Sequence, residues 1–488
     1  MAPLALVAVL AMPLPALGVE AHRLLAIAAM TVILWITEAL PLAMTAMLAP
    51  TLAVLFDVAG AKQAFAPFAH PLIFMFIGAF MLARALSVHG FDRRAALWLL
   101  SRPILRGSPT RALLMVAATA FSFSMWINNT ATAAMMCPIA VGLCASISAL
   151  CPDDPAVRAK HRAFEEGMLI TLACAASLGG ICTPVGTAPN MIAIAELDRI
   201  ASVHFDFLRW MSMALPLALL TLVGLLVLAR RRWPPALEQV PGLSDSVARE
   251  LEALGPASSA ERRCVACFAL AILGWLTPSL LRIGLGETAE ATVWARRAMP
   301  EGVVAMLAAV LLFVIPAGSK STTSRPRRLV DWSDASAIDW GTVLLLGGGL
   351  ALGNLTVQTG LAEALGQGVG SWLGDEPSLF MLVLVVSVLV VYMTELVSNT
   401  ATINMLLPVI VPLAVRSGAD PVPIVLVATF AASFAFMLPV STPPNAVVYG
   451  TGMVRLPSMV RFGALLNLLG IALLVALGCA LIPAFVTR

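Results

Sequence analysis

The stretch Trp126-Ile127-Asn128-Asn129-Thr130-Ala131-Thr132-Ala133 sits inside apolar sequence and recurs as Leu396-Val397-Ser398-Asn399-Thr400-Ala401-Thr402-Ile403. Each copy clusters small, neutral hydrogen-bonding side chains, and a proline follows eight residues after the Thr, at Pro138 and Pro408. Such clusters are costly in hydrocarbon unless something polar is bound there. Residues 112–149 are too short for two spans of about 20 residues each plus a turn, and the triplet falls where the chain would reverse. A re-entrant hairpin fits better, with a second at 378–415. Lipid excludes exposed irregular backbone, so each hairpin must be packed inside protein or line a water-filled cavity. Two copies imply one site assembled from two halves.

Composition agrees. Of the 488 residues, 60% are hydrophobic and only 12% charged, and the mean hydropathy is +0.94. Soluble globular proteins do not reach these values, so the chain reads as an all-α polytopic membrane protein. A net charge of +3 with basic residues confined to loops argues against nucleic acid. The cysteines mostly lie in apolar runs (Cys137, Cys144, Cys174, Cys182, Cys479) as small buried hydrophobes. Cys264 and Cys267 have CxxC spacing but no second pair, so no metal site or disulfide framework is read from them. His22, His70, His89, His161 and His204 show no metal-ligand spacing. There is no Gly-Lys dipeptide for an ATP-binding loop, no Gly-x-Ser-x-Gly and no His-Glu-x-x-His.

In chain order, residues 4–18 read as a first membrane helix, since no Lys or Arg precedes Arg23 to make a signal peptide. Spans follow at 24–36, 42–57 and 70–87. After the first hairpin, 167–195 reads as a helix interrupted at Thr183-Pro184-Val185-Gly186-Thr187-Ala188-Pro189-Asn190, and 210–229 spans again. The charged segment 230–263 reads as a solvent-exposed linker. Spans at 264–281, 302–316 and 340–361 precede the second hairpin. A second broken helix covers 422–450 through Ser441-Thr442-Pro443-Pro444-Asn445, and 462–485 closes the chain. This makes eleven spans and two hairpins.

The halves repeat at a constant offset. Thr400 lies 270 residues after Thr130 and Gly348 lies 270 after Gly78, whereas Asn445 lies 255 after Asn190. The 15-residue difference falls in the longer loop around 151–162. If the N-terminus is cytoplasmic, the inner loops at 93–111, 158–162, 230–263, 320–328 and 455–461 hold 20 of the 30 Lys and Arg, and the outer loop 363–377 holds none. That asymmetry orients the chain and makes the repeats inverted. Inverted repeats with broken helices meeting near the midplane are the signature of secondary transporters.

A helix broken in the membrane frees N–H groups that suit anions and carbonyls that suit a hard cation such as sodium. Neither triplet nor either breaker motif contains Lys or Arg, so a dianion there would need neutral donors and co-bound cations. Helix glue is the plainer role for Asn, Ser and Thr, but two matched copies with matched breakers argue for a site. Glu395 offers a proton site, a buried structural pair or a group at the cavity mouth; Glu38 and Arg84 lie near span ends.

At these motifs the chain resembles the divalent anion sodium symporter family, which includes bacterial dicarboxylate transporters and animal sodium-coupled citrate and dicarboxylate carriers. Trp35-Ile36-Thr37-Glu38-Ala39-Leu40-Pro41 also matches a family signature. The resemblance implies a homodimer in which a scaffold (1–111 and 264–361) holds a mobile, elevator-like transport domain (112–229 and 378–488), with 230–263 a cytoplasmic linker. It implies one sodium site at Ser124, Asn128, Asn129 and the backbone near Gly186, and a second at Thr394, the Val397 backbone, Asn399 and the backbone near Ser441. Substrate carboxylates would meet Asn128, Asn129, Thr130, Thr187, Ser398, Asn399, Thr400, Thr442 and Pro443. The family usually has Ser where this chain has Asn128, a bulkier group with an added donor.

The expectation is sodium-coupled import of C4-dicarboxylates (succinate, malate, fumarate) across a cell inner or plasma membrane. Within transport the alternative is an anion exchanger or a carrier of sulfate, another inorganic oxyanion or citrate. From other classes, the alternatives are a channel or binding scaffold and, more remotely, a membrane enzyme.

Overall fold

The computed structural model describes residues 1–486 apart from 16, 103–106, 150, 202–204, 241–242, 319–326, 366–367 and 369–377. Arg106, His204, Lys320, Arg325 and most of the expected outer loop 363–377 therefore lie outside the described residues. The described chain is helical, with one isolated bridge between Pro316 and Arg328. Its helices are α1 (Ala2–Ala11), α2 (Val19–Thr37), α3 (Leu42–Leu55), α4 (Ala61–Phe65), α5 (Pro71–Val88), α6 (Phe91–Leu100), α7 (Pro109–Ser124) and α8 (Asn129–Ser148). There follow α9 (Pro155–Ile181), α10 (Ala188–Ala201), α11 (Phe207–Arg232), α12 (Leu243–Ala253), α13 (Ser259–Leu285), α14 (Glu290–Ala298) and α15 (Glu301–Val314). The chain ends with α16 (Trp332–Ser336), α17 (Trp340–Gln358), α18 (Leu379–Leu396), α19 (Asn399–Arg416), α20 (Pro421–Ala431), α21 (Pro443–Tyr449) and α22 (Leu456–Val486). Ten of these are long and apolar enough to cross a membrane, or eleven if α14 and α15, bent by 61°, form one span.

Both hairpins are present, α7–α8 and α18–α19, and so are both broken helices, α9–α10 and α20–α21. One expectation needs correction. The first span was placed at 4–18, but its helix stops at Ala11, because Pro13 and Pro15 cannot continue it. At ten residues it is about 15 Å long, half a hydrocarbon core. It packs against α2, with Ala2 in a cluster with Met30 and Leu34 and Val9 O against His22 Nε2 at 2.6 Å, so the two helices are antiparallel. The segment 230–263, expected to be solvent-exposed, is mostly exposed among its described residues, and within it α12 docks on α6 and α8. Arg94 fixes the segment's end by donating to Glu261 at 2.8 Å and to the Gly255 carbonyl at 2.7 Å, and a Ser258–Glu261 capping box starts α13.

The repeats interlock rather than sit side by side. Gly78 on α5 abuts α15, where an added Cβ would lie 2.5 Å from the Ala305 carbonyl carbon. Its repeat mate Gly348 on α17 abuts α3, where a Cβ would lie 2.3 Å from the Ala46 carbonyl oxygen. Each repeat's glycine helix thus packs on a helix of the other repeat, at the close backbone approach that small residues allow in membranes. At the centre runs α9, whose apolar segment is 94% buried. This frame brings the hairpin tips and helix breaks toward one cavity.

Candidate functional site

Each hairpin turns over a few residues, and a polar side chain caps the second arm. Asn128 Oδ1 accepts from Ala131 N at 2.7 Å, and Ser398 Oγ accepts from Ala401 N at 3.3 Å. The following Asn is then pinned by a hydroxyl from the first arm. Ser124 Oγ donates to Asn129 Oδ1 at 2.6 Å, and Thr394 Oγ1 lies 2.8 Å from Asn399 Oδ1. The first tip is further held by Trp126, stacked on Phe207 at 6.0 Å, which stacks on Trp275 at 5.2 Å.

The breaks are matched as closely. Asn190 Nδ2 donates to the carbonyls of Gly180, Ile181 and Thr183 at 2.9, 3.3 and 2.7 Å. Asn445 Nδ2 donates to the Ala435 and Leu438 carbonyls at 3.0 Å and to Ser441 Oγ at 3.2 Å. The 255-residue offset maps Gly180 onto Ala435 and Thr183 onto Leu438, so one amide stitches each break in the same way. Trp210 Nε1 satisfies the Ile181 carbonyl at 3.0 Å. Gly186 is required where it stands, because a Cβ there would lie 2.5 Å from the Gly180 carbonyl oxygen.

Tips and breaks share one cavity of about 250 Å³. All nine residues expected to meet substrate line it: Asn128, Asn129, Thr130, Thr187, Ser398, Asn399, Thr400, Thr442 and Pro443. Of those expected around sodium, Asn128, Asn129, Gly186, Asn399 and Ser441 line it as well. Ser124, Thr394 and Val397 are not among the lining residues; they are buried, and the two hydroxyls touch the asparagines from behind. Other lining residues were not foreseen. They include Leu42, Phe76, Phe80, Asp339, Thr342 and Leu345, which belong to helices whose sequence reads only as apolar packing or a helix start.

The oxygen arrangement suits a hard cation. Thr394 Oγ1 lies within hydrogen-bond reach of both Asn399 Oδ1 and the Ala432 carbonyl, at 2.8 and 2.7 Å, but one hydroxyl carries one proton. One of these oxygens therefore does not receive the Thr394 proton.

Glu395 is not among the residues lining this cavity; it is buried. Its carboxylate accepts from Phe436 N at 2.8 Å, Met437 N at 2.9 Å, Leu438 N at 3.1 Å and Asn467 Nδ2 at 2.8 Å. Those N–H groups are freed where α20 stops, so the carboxylate caps the second break. At the corresponding point of the first repeat stands Met125, whose carbonyl accepts from Thr183 Oγ1 at 2.5 Å. Arg84 lies 3.9 Å from Asp334, and Glu38 ends α2 with a φ of 47°.

The sodium:sulfate symporter transmembrane-region model matches residues 1–485. The chain belongs to this sodium symporter family. Symporters of this kind are transporters rather than enzymes, and this one is a multi-pass membrane protein. Among its relatives, the sodium-dependent dicarboxylate transporter SdcS of Staphylococcus saprophyticus is 32% identical over 451 residues, covering 92% of this chain and 84% of that protein. SdcS of Staphylococcus aureus is 31% identical over 445 residues, covering 90% and 82%. The fold is similar to the Alcanivorax borkumensis YdaH transporter, with a TM-score of 0.56 and 14% identity over 94% of this chain and 98% of that one.

Proposed function

We propose that this symporter imports C4-dicarboxylates such as succinate, malate and fumarate, driven by sodium, through elevator-type alternating access. The observation that carries the reading is the cavity, which presents two matched Asn/Ser/Thr tips and two helix breaks without a basic side chain among its lining residues. A dianion held only by neutral donors needs cations beside it, and sodium supplies them. The relatives named as sodium-dependent dicarboxylate transporters support the same substrate class.

In this reading the substrate carboxylates meet Asn128, Asn129, Thr130, Thr187, Ser398, Asn399, Thr400, Thr442 and Pro443. One sodium is bound among Ser124, Asn128, Asn129 and the Gly186 backbone. The second is bound among Thr394, the Val397 backbone, Asn399 and the Ser441 region. Residues 112–229 and 378–488 move as the transport domain against a scaffold of 1–111 and 264–361, in a homodimer of an inner or plasma membrane. The basic loops and the antiparallel course of α1 on α2 support a cytoplasmic N-terminus.

Uptake of labelled succinate into proteoliposomes tests the core of this, with an inward sodium gradient compared against an equal potassium gradient. Accumulation only with sodium is the expected result. Sodium-independent uptake that requires internal succinate makes the protein an exchanger instead. The family description itself names sulfate, so labelled sulfate is the second substrate to run, and sulfate uptake without succinate uptake replaces the dicarboxylate reading.

A further inference from the structure

The cavity has one charged lining residue among those described, and it is an acid. Asp339 stands at the start of α17 and lines the same cavity as the neutral tips and breaks. Its Oδ1 accepts from Thr342 N at 3.0 Å and its Oδ2 from Thr342 Oγ1 at 2.5 Å, so both carboxylate oxygens are held by the helix they cap. No described Lys, Arg or His lies within ion-pair distance of it. An uncapped helix start would present partial positive charge to the cavity and attract a carboxylate; Asp339 turns that end into a fixed negative wall.

We propose that Asp339 is the residue that selects ligand charge in this cavity, admitting two carboxylates and rejecting a third. This rests on the dicarboxylate reading given above. Two carboxylates of a C4 acid are accounted for by the neutral donors and cations of the tips and breaks. A third carboxylate, as in citrate or tricarballylate, must lie toward the rest of the lining, which includes Asp339. Asp339 is exposed, yet like charges a few ångströms apart repel measurably even in water. Volume also limits what enters, since about 250 Å³ is at the small end of ligand sites. Charge and volume are separable because Asn has almost the shape of Asp and also caps helices.

The test measures ligand-induced melting shifts of the purified full-length protein in sodium chloride, titrated with succinate, citrate and tricarballylate at mildly alkaline pH. Wild type is expected to respond to succinate and weakly to the tricarboxylates. Asp339→Asn and Asp339→Ser, both neutral caps, are expected to shift preference toward the tricarboxylates by about tenfold, while Asp339→Glu keeps the wild-type order. If the two neutral variants fold and the preference does not move, Asp339 is a helix cap only and the proposal fails. If wild type responds to none of these ligands in sodium, the dicarboxylate reading fails and charge selection falls with it.

Discussion

Asn129 and Asn399 occupy the same place in the two repeats, one residue past the cap and one hydroxyl away from the preceding arm. Replacing either with Ala removes an oxygen from a site read as holding a cation, and a hydrogen bond or contact to a charged partner is worth about 1.5–3 kcal/mol. Asn129→Ala and Asn399→Ala are each expected to weaken sodium-dependent succinate uptake by roughly 10- to 100-fold, read as sodium and succinate concentration dependence in proteoliposomes. Glu395 calls for a different outcome. Gln there would point an NH₂ group at backbone donors that now find an oxygen, so Glu395→Gln is expected to lower stability by about 1–3 kcal/mol. The check is the melting temperature in detergent without ligand; an unchanged value would mean the break closes without the carboxylate. The motif repetition made the asparagines legible in the sequence. The role of Glu395 was not, because its partners are backbone N–H groups 41 to 43 residues away and the Asn467 amide 72 residues away, which become neighbours only once the helices pack.

At the scale of elements, hairpins and broken helices were readable because Pro, Gly and polar clusters interrupt apolar sequence, and lipid tolerates few ways of resolving that. The first helix was misjudged for a related reason. Apolar composition runs continuously through Pro13 and Pro15, but the backbone hydrogen bonds do not. The glycine contacts are the sharpest point at this scale. A side chain at Gly348 would run into the backbone of α3 rather than into a movable side chain, so Gly348→Val is expected to destabilise by about 1–3 kcal/mol and to reduce folded yield. Gly142, with nothing within 4 Å of an added Cβ, is the control, and Gly142→Ala should melt within about 0.5 kcal/mol of wild type. Equal losses at both positions would mean that the crossing of α17 over α3 is not held by close approach.

For the whole molecule, the interlocked repeats set where the two half-sites meet, and the two halves share one cavity. Ligand linkage follows from this. If sodium completes both halves, sodium chloride should raise the melting temperature relative to potassium chloride at equal ionic strength, and succinate should add a further shift only in sodium. A ligand at 100 times its Kd contributes about 2.7 kcal/mol. A succinate shift of equal size in potassium would remove sodium from the binding step.

The sequence by itself determined the membrane class, the doubled polar tip and the matched breaks, because duplication and the cost of polar groups in hydrocarbon leave marks at fixed spacing. Only the tertiary structure decided what else lines the cavity. Phe76, Phe80, Asp339 and Thr342 come to the cavity through the packing of α5 on α15 and α17 on α3, and contacts between distant helices carry no period in the chain. The docking of α12 and the capping by Glu395 were decided in the same way, since each satisfies backbone or charge with partners that become neighbours only once the helices have packed.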